Sequence, residues 1–312
     1  MALPGSRAAE GPTWIDAETM FAMRHIVRNV PERLLSPTGR PGGYIGKKRG
    51  NGLEIVDVRL FSEGDDARHI DAAATARTAK THVRTFRDER DRAALLIADF
   101  RSAMLWGTKT RLRSVAAAGA LALVGWRVVE GGGRVSLLTE GCHGSLYLPP
   151  RSRERAMAAA TAALEEAHKA SIAALDQGTP REASLETMLE QAIARSTSGT
   201  TLVLASSLDD ADESFDKLLL AARRRFDIVL LLIRDRFERA APRGAYPYLV
   251  MGEATPASMR WAFVPKAEAS REDERIERLR SSGIDLRVIE ADTDWTDMAL
   301  ALEAVDGPRS YR

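Results

Sequence analysis

One cysteine, Cys142, stands in a chain of 312 residues. An intrachain disulfide is therefore excluded, and the crosslinks that support small secreted scaffolds are missing, which predicts a reducing, cytoplasmic setting. Long apolar runs are missing too. The longest uncharged apolar stretch, Ser114 to Trp126, falls short of the roughly 20 residues that a membrane helix needs, so no membrane segment is expected. Residues 1–14 carry Pro4, Gly5, Glu10 and Pro12 where a secretion signal would be apolar, and read as a frayed tail. Neither charge is in excess: 45 Lys and Arg against 44 Asp and Glu leave +1, a balance that points to no nucleic-acid or membrane partner.

Several catalytic and cofactor signatures are also wanting. His25, His69, His82, His143 and His168 form no close pair at metal-ligand spacing, and the adjacent Cys142 and His143 are too near in sequence to converge on one ion. No Gly-x-Ser-x-Gly nucleophile elbow occurs. The basic, glycine-rich stretch Gly39–Gly52 fails as a phosphate loop, because Pro41 stands where the first glycine belongs and Lys48 follows Lys47 where Ser or Thr is needed. It reads as a surface loop, with Lys47, Lys48 and Arg49 a secondary candidate contact for an acidic partner. No glycine fingerprint follows the first apolar run, so a dinucleotide site has no support.

What is present is alternation. Apolar, β-branched runs at Ala93–Ala98, Arg134–Leu138, Thr201–Ala205, Asp227–Ile233, Trp261–Val264 and Asp285–Ile289 predict strands. Between and after them, Lys109–Val129, Ser152–Leu175, Leu185–Ala194, Asp210–Arg225, Ser270–Arg280 and Thr296–Val305 have helical patterns. The unbroken run Ile228 to Ile233 predicts a strand buried on both faces, as in a parallel sheet between helix layers. The fold class is thus α/β, doubly wound. Asp209 and Asp210 are expected to cap the helix that follows them, as are Asp292 and Asp294.

Residues 1–92 differ. Thr13 to Leu35 has helical spacing and is stopped by Pro31 or by Pro37; His82 to Phe86 has strand character. The segment holds too few apolar residues for a large core of its own and is expected to dock on the α/β domain of residues 93–306, with 307–312 a tail. From Glu54 to Arg92 charge is dense but balanced, which suits either hydrogen-bonded ion pairs fixing an irregular segment or a solvated face.

Gly50-x-Gly52-x-Glu54, Arg59, Gly64-Asp65-Asp66-x-Arg68-x-Ile70-Asp71, Thr75-Ala76-Arg77 and Val83-Arg84-x-Phe86-x-x-Glu89 together resemble the signature of the domain of unknown function 58 family. Ala72 and Phe61 depart from it, standing where the family usually has Trp and Tyr. The resemblance implies a von Willebrand factor A-like (Rossmann-like) domain, a mostly parallel sheet flanked by helices, behind an N-terminal extension of helix, loop and short strands. Such domains commonly hold a divalent cation at the C-terminal edge of the sheet, through an Asp-x-Ser-x-Ser loop, a Thr and a later Asp. Here the loop reads Asp99-Phe100-Arg101-Ser102-Ala103. Both serines are lost, Arg101 brings a cation of its own, and Ser207 stands where the later acid is expected. The site is degenerate, no cofactor is expected, and Arg101 is expected to pair with Asp99 in place of Mg²⁺.

The resemblance further implies a non-catalytic adaptor or co-chaperone for a MoxR-type AAA+ ATPase acting on a client protein. Its contact surface is placed at Asp99, Arg101, Ser102, Ser207 and Asp209, because loops at sheet edges bind ligands in this architecture. The alternative is a metal-dependent binding domain in which Asp99, Ser102 and Asp209 assemble a non-standard ion site.

Overall fold

The computed structural model describes residues 13–29, 55–62, 67–78, 80–86, 93–178, 180–239, 243–248, 260–264 and 274–302. They fall into two compact units, one of residues 1–35 with 93–312 and one of residues 36–92.

The chain enters the larger unit through two short helices, α1 (Ala17–Ala22) and α2 (Arg24–Asn29). Asp16 caps α1 by accepting the Thr19 N–H at 2.6 Å. Among the described residues the helical spacing that begins at Thr13 is realised as a broken pair, interrupted at Met23, and the expected stop at Pro31 or Pro37 lies outside them. Met20, Met23 and Val27 point into the core of this unit, so the N-terminal helices belong to the α/β unit.

In the smaller unit β1 (Ile55–Leu60) pairs antiparallel with β2 (His82–Phe86), and α3 (Ala72–Thr78) lies between them in the chain. Asp71 caps α3 by accepting the Ala74 N–H at 2.8 Å. The Thr75 hydroxyl accepts the His82 N–H at 3.0 Å and fastens the helix to the strand. Two signature residues therefore shape the backbone. Arg68 sits in the 3-10 turn Ala67–His69 and Arg77 in the last turn of α3. Gly64, Asp65, Asp66, the side chain of Arg59, the Gly39–Gly52 loop and the 307–312 tail lie outside the described residues.

The rest of the larger unit follows the alternation. It runs β3 (Ala93–Phe100), α4 (Arg113–Glu130), β4 (Arg134–Gly141), β5 (Gly144–Ser152), α5 (Arg153–Asp176), α6 (Leu185–Arg195), β6 (Thr201–Ser206), α7 (Glu213–Ala222) and β7 (Asp227–Arg234). Then come α8 (Arg236–Arg239), β8 (Gly244–Tyr248), β9 (Arg260–Val264), α9 (Glu274–Ser281), β10 (Asp285–Glu290) and α10 (Trp295–Ala301). Six strands form one sheet in the order β10-β7-β6-β3-β4-β5, parallel except for the β4–β5 pair. This is a mixed α/β fold with a mostly parallel central sheet flanked by helices.

Period-2 alternation splits each inner strand between two cores. Leu96, Ala98 and Phe100 of β3, with Val229, Leu231 and Ile233 of β7, face α1, α2, α4, α5 and α10. Leu95 and Ile97, with Ile228, Leu230 and Leu232, face α6, α7 and α9. Every residue of α4 from Arg113 to Val129 is buried. Its run of Ala and Gly lets the sheet and four helices approach it closely: a Cβ on Gly125 would stand 2.7 Å from the Met157 sulfur.

Two strands depart from the sequence reading. Trp261–Val264 was expected in the main sheet; it lies in β9, which pairs antiparallel with β8 as a separate two-stranded ribbon. Its aromatics Trp261 and Phe263 are 54% and 75% exposed, the opposite of a strand buried between helix layers. The second departure is β5, which the pattern did not show: it closes the sheet as an antiparallel edge strand, and Pro149 and Pro150 fit there because an edge strand needs fewer N–H donors.

Two stability predictions follow from this packing. A Cβ on Gly119 would collide with the Trp295 ring, and the Arg111 guanidinium lies 3.8 Å from the ring centre. Gly119→Ala should thus destabilise by about 1–3 kcal/mol in chemical denaturation, although alanine is the better helix former. His168, 1% exposed, meets Ser114 through Nε2 at 2.9 Å, and burial pushes its pKa down to about 4. The unfolded imidazole titrates near ~6.5. Its neutral form is favoured in the fold, so the full contribution is present above about pH 6.5 and declines as pH falls towards 4. Between those limits the wild type should lose roughly 3 kcal/mol more than His168→Gln, read from denaturant midpoints across pH.

Candidate functional site

After β3 the chain steps to β4 on one side, and only later fills the other side with β6. The strand order thus reverses at β3, and a crevice is expected outside the C-terminal ends of β3 and β6. Asp99, one residue before the end of β3, and Ser206, the last residue of β6, lie there. Both continue the face of Leu95, Ile97, Leu202 and Leu204, so their side chains meet: the Ser206 hydroxyl donates to Asp99 Oδ2 at 2.7 Å.

The crevice is filled by Arg101. Its Nε donates to Asp99 Oδ1 and its Nη2 to Asp99 Oδ2, both at 2.9 Å, a two-pronged match of guanidinium to carboxylate. The same Nη2 reaches Asp210 Oδ1 at 2.9 Å, and Nη1 bonds Asp210 Oδ2 and, at 3.3 Å, the Ala183 carbonyl. Arg101 is 4% exposed and Asp99 fully buried. Burial by itself would lower the pKa of Arg101, but the hydrogen bonds and charges of Asp99 and Asp210 outweigh it and hold the group above its ordinary value. The expected Asp99–Arg101 pairing is therefore present, with a second carboxylate that the sequence reading did not assign.

A parallel set lies beside it. Arg113, at the start of α4, donates from Nη1 to Asp209 Oδ2 at 2.7 Å and to the Ala103 carbonyl at 3.1 Å, and pairs with Glu238. Arg234 bonds Glu238 at 2.9 Å. Asp209 and Asp210 thus turn to two different arginines, and Leu208 makes the turn with a left-handed φ of 57°. Neither aspartate caps α7, contrary to expectation. Asp212 does so, accepting the Phe215 N–H at 2.9 Å, while Asp294 caps α10 as anticipated.

The other residues singled out fare differently. Ser102 is held by Glu182, which accepts its N–H at 2.6 Å and its hydroxyl at 3.1 Å. Cys142 donates to the same carboxylate at 3.0 Å; burial, then Glu182, push its thiol up to about 12. Ser207 is buried and its N–H meets the Met104 sulfur at 3.1 Å, so the serine at the site is Ser206. Strand phase, which places Leu202, Leu204 and Ser206 on one face, is the sequence signal for it. Glu140, opposite Asp99 in the β3–β4 register, is 2% exposed; burial raises its pKa, with Ala183 N–H and Arg101 pulling the other way.

These donors do not suit a divalent ion. Asp99 is taken by a guanidinium, Ser102 by Glu182 and Asp209 by Arg113, so the three proposed ligands face three different partners. Among the described residues no group of three or more His, Cys, Asp or Glu is arranged to hold a metal, and no helix is long and apolar enough to cross a membrane.

An α/β chain whose sheet edge is occupied by its own ion pairs is the class of protein that the geometry defines. Residues 57–255, more than half of the chain, match the family model described as protein of unknown function DUF58, and the chain belongs to that family. It is also similar to the uncharacterized proteins Rv1480 of Mycobacterium tuberculosis and Mb1516 of Mycobacterium bovis, each 31% identical over 111 residues. That match covers 36% of this chain and 35% of each relative, about a third of the length of either.

Charge removal should cost unequally across the site. Asp99→Ala leaves a buried guanidinium short of its main partner and should destabilise by about 3–5 kcal/mol. Asp210, whose side chain is 46% exposed, should cost about 1 kcal/mol or less when replaced by alanine. Denaturation midpoints of the two variants check the order.

Proposed function

We propose that the chain is a non-catalytic protein-interaction module of von Willebrand factor A-like architecture, an adaptor or co-chaperone through which a MoxR-type AAA+ ATPase acts on a client protein. The observation that carries the reading is the filled crevice: Arg101 lies where a small ligand would enter, so the edge offers a shaped surface rather than a cleft. The rim of that surface is Asp209, Asp210 and Ser102 with Glu182, around the buried Asp99 and Arg101. A cavity of about 20 Å³ beside it, lined in part by Leu208, Leu232 and Arg234, has the size of one water.

Two candidate nucleophiles argue against catalysis on chemical grounds. Ser114 and His168 are hydrogen-bonded but both are buried, out of reach of a substrate. Cys142 is held protonated by burial and by Glu182, so it offers no thiolate. The partner assignment rests on the resemblance of the signature between Gly50 and Glu89; the match over residues 57–255 supports the family and names no function.

Affinity purification of the chain with a MoxR-type AAA+ ATPase checks the proposal. Association should be stronger in one nucleotide state and should persist in chelator. Failure of the ATPase to associate in any nucleotide state would contradict the reading.

A further inference from the structure

We infer that Arg101 is the built-in cation of the C-terminal edge: its guanidinium organises a strand end and two links as a bound ion would, and the space it fills is a guanidinium site rather than a metal site. The three attachments come from different parts of the chain. Asp99 is the penultimate residue of β3, Ala183 lies in the α5–α6 link, and Asp210 lies in the β6–α7 link. No two of these segments are neighbours in sequence, so the side chain that joins them sets their relative positions.

Charge gives the same result. Asp99, Glu140 and Asp210 gather around Arg101, and Glu182 stands beside them as a fourth carboxylate that affects Glu140. Without the guanidinium, two of these groups, Asp99 and Glu140, would be almost wholly buried next to each other with no cation between them. The shape is specific as well. Three separate nitrogens of one planar group meet four carboxylate oxygens, so the oxygens face spaced, directed N–H donors rather than converging on one central point as ligands of an ion do.

The inference concerns how the edge is held, whatever partner it meets, so it can fail while the adaptor reading stands, and the reverse. Its consequence is an edge assembled at all times, with no ion to gain or lose.

Chemical rescue tests it. In Arg101→Ala, amide hydrogen exchange should quicken about tenfold or more in residues 101–105, 181–184 and 206–212, while the inner parts of β3, β6 and β7 stay protected. Methylguanidinium at millimolar concentration should restore the slow exchange, and Mg²⁺ should not. Unchanged exchange in the variant would overturn the inference, as would recovery with Mg²⁺ in place of methylguanidinium. Should Arg101→Ala fail to fold, Asp210→Asn serves in its stead: exchange should quicken in 206–212 and stay slow in 101–105, and no change in 206–212 would count as refutation.

Discussion

Burying a guanidinium costs several kcal/mol of lost hydration unless its donors are met by oxygen atoms of matching geometry. Arg101 is met by two carboxylates and a backbone carbonyl, and Asp99 is in turn steadied by the Ser206 hydroxyl. The arrangement does more than stabilise. It fixes the end of β3, the α5–α6 link and the β6–α7 link at the point where the strand order reverses, which is where an open α/β sheet would otherwise present a crevice. In this chain that crevice is closed by the chain's own charge, and the shape of the edge follows from it.

The neighbouring pairs extend the same logic across the sheet. Asp209 and Asp210 are adjacent in sequence, yet they serve Arg113 and Arg101, and the left-handed backbone at Leu208 helps to set their directions. Arg113 continues to Glu238, just beyond β7, and Glu238 to Arg234 at its end. An alternating line of charge therefore crosses the C-terminal ends of β3, β6 and β7. Because most of its members are partly or wholly buried, salt should screen the inner pairs less than ion pairs on an open surface. The balance of 45 basic against 44 acidic residues has at this edge a structural use.

Much of the sheet was legible because its strands are buried on both faces, and continuous apolar runs such as Ile228 to Ile233 have few other uses. The Asp99–Arg101 pairing was legible because two side chains, two residues apart at the end of a strand, can turn back on each other. The β5 strand was not, since an edge strand that carries Pro149 and Pro150 is only half apolar. The β8–β9 ribbon was misplaced because a five-residue run like Arg260–Val264 has the same composition whether it joins a large sheet or a small one. At the site, the resemblance points to Ser207, whereas strand phase, which the motif does not carry, puts Ser206 beside Asp99. Asp209 and Asp210 read as caps from sequence because a cap is a local matter, whereas their arginines lie 96 and 109 residues away in sequence. Long-range pairing of this kind leaves no periodic trace.

The central claim is that the cation of this edge is a side chain. Calorimetric titration of the intact wild-type chain with Mg²⁺ and with Mn²⁺ tests it most directly. The account predicts no specific heat of binding in the micromolar range for either ion. Micromolar binding of one ion at unit stoichiometry, abolished by Asp99→Ala in a chain that still folds, would contradict it.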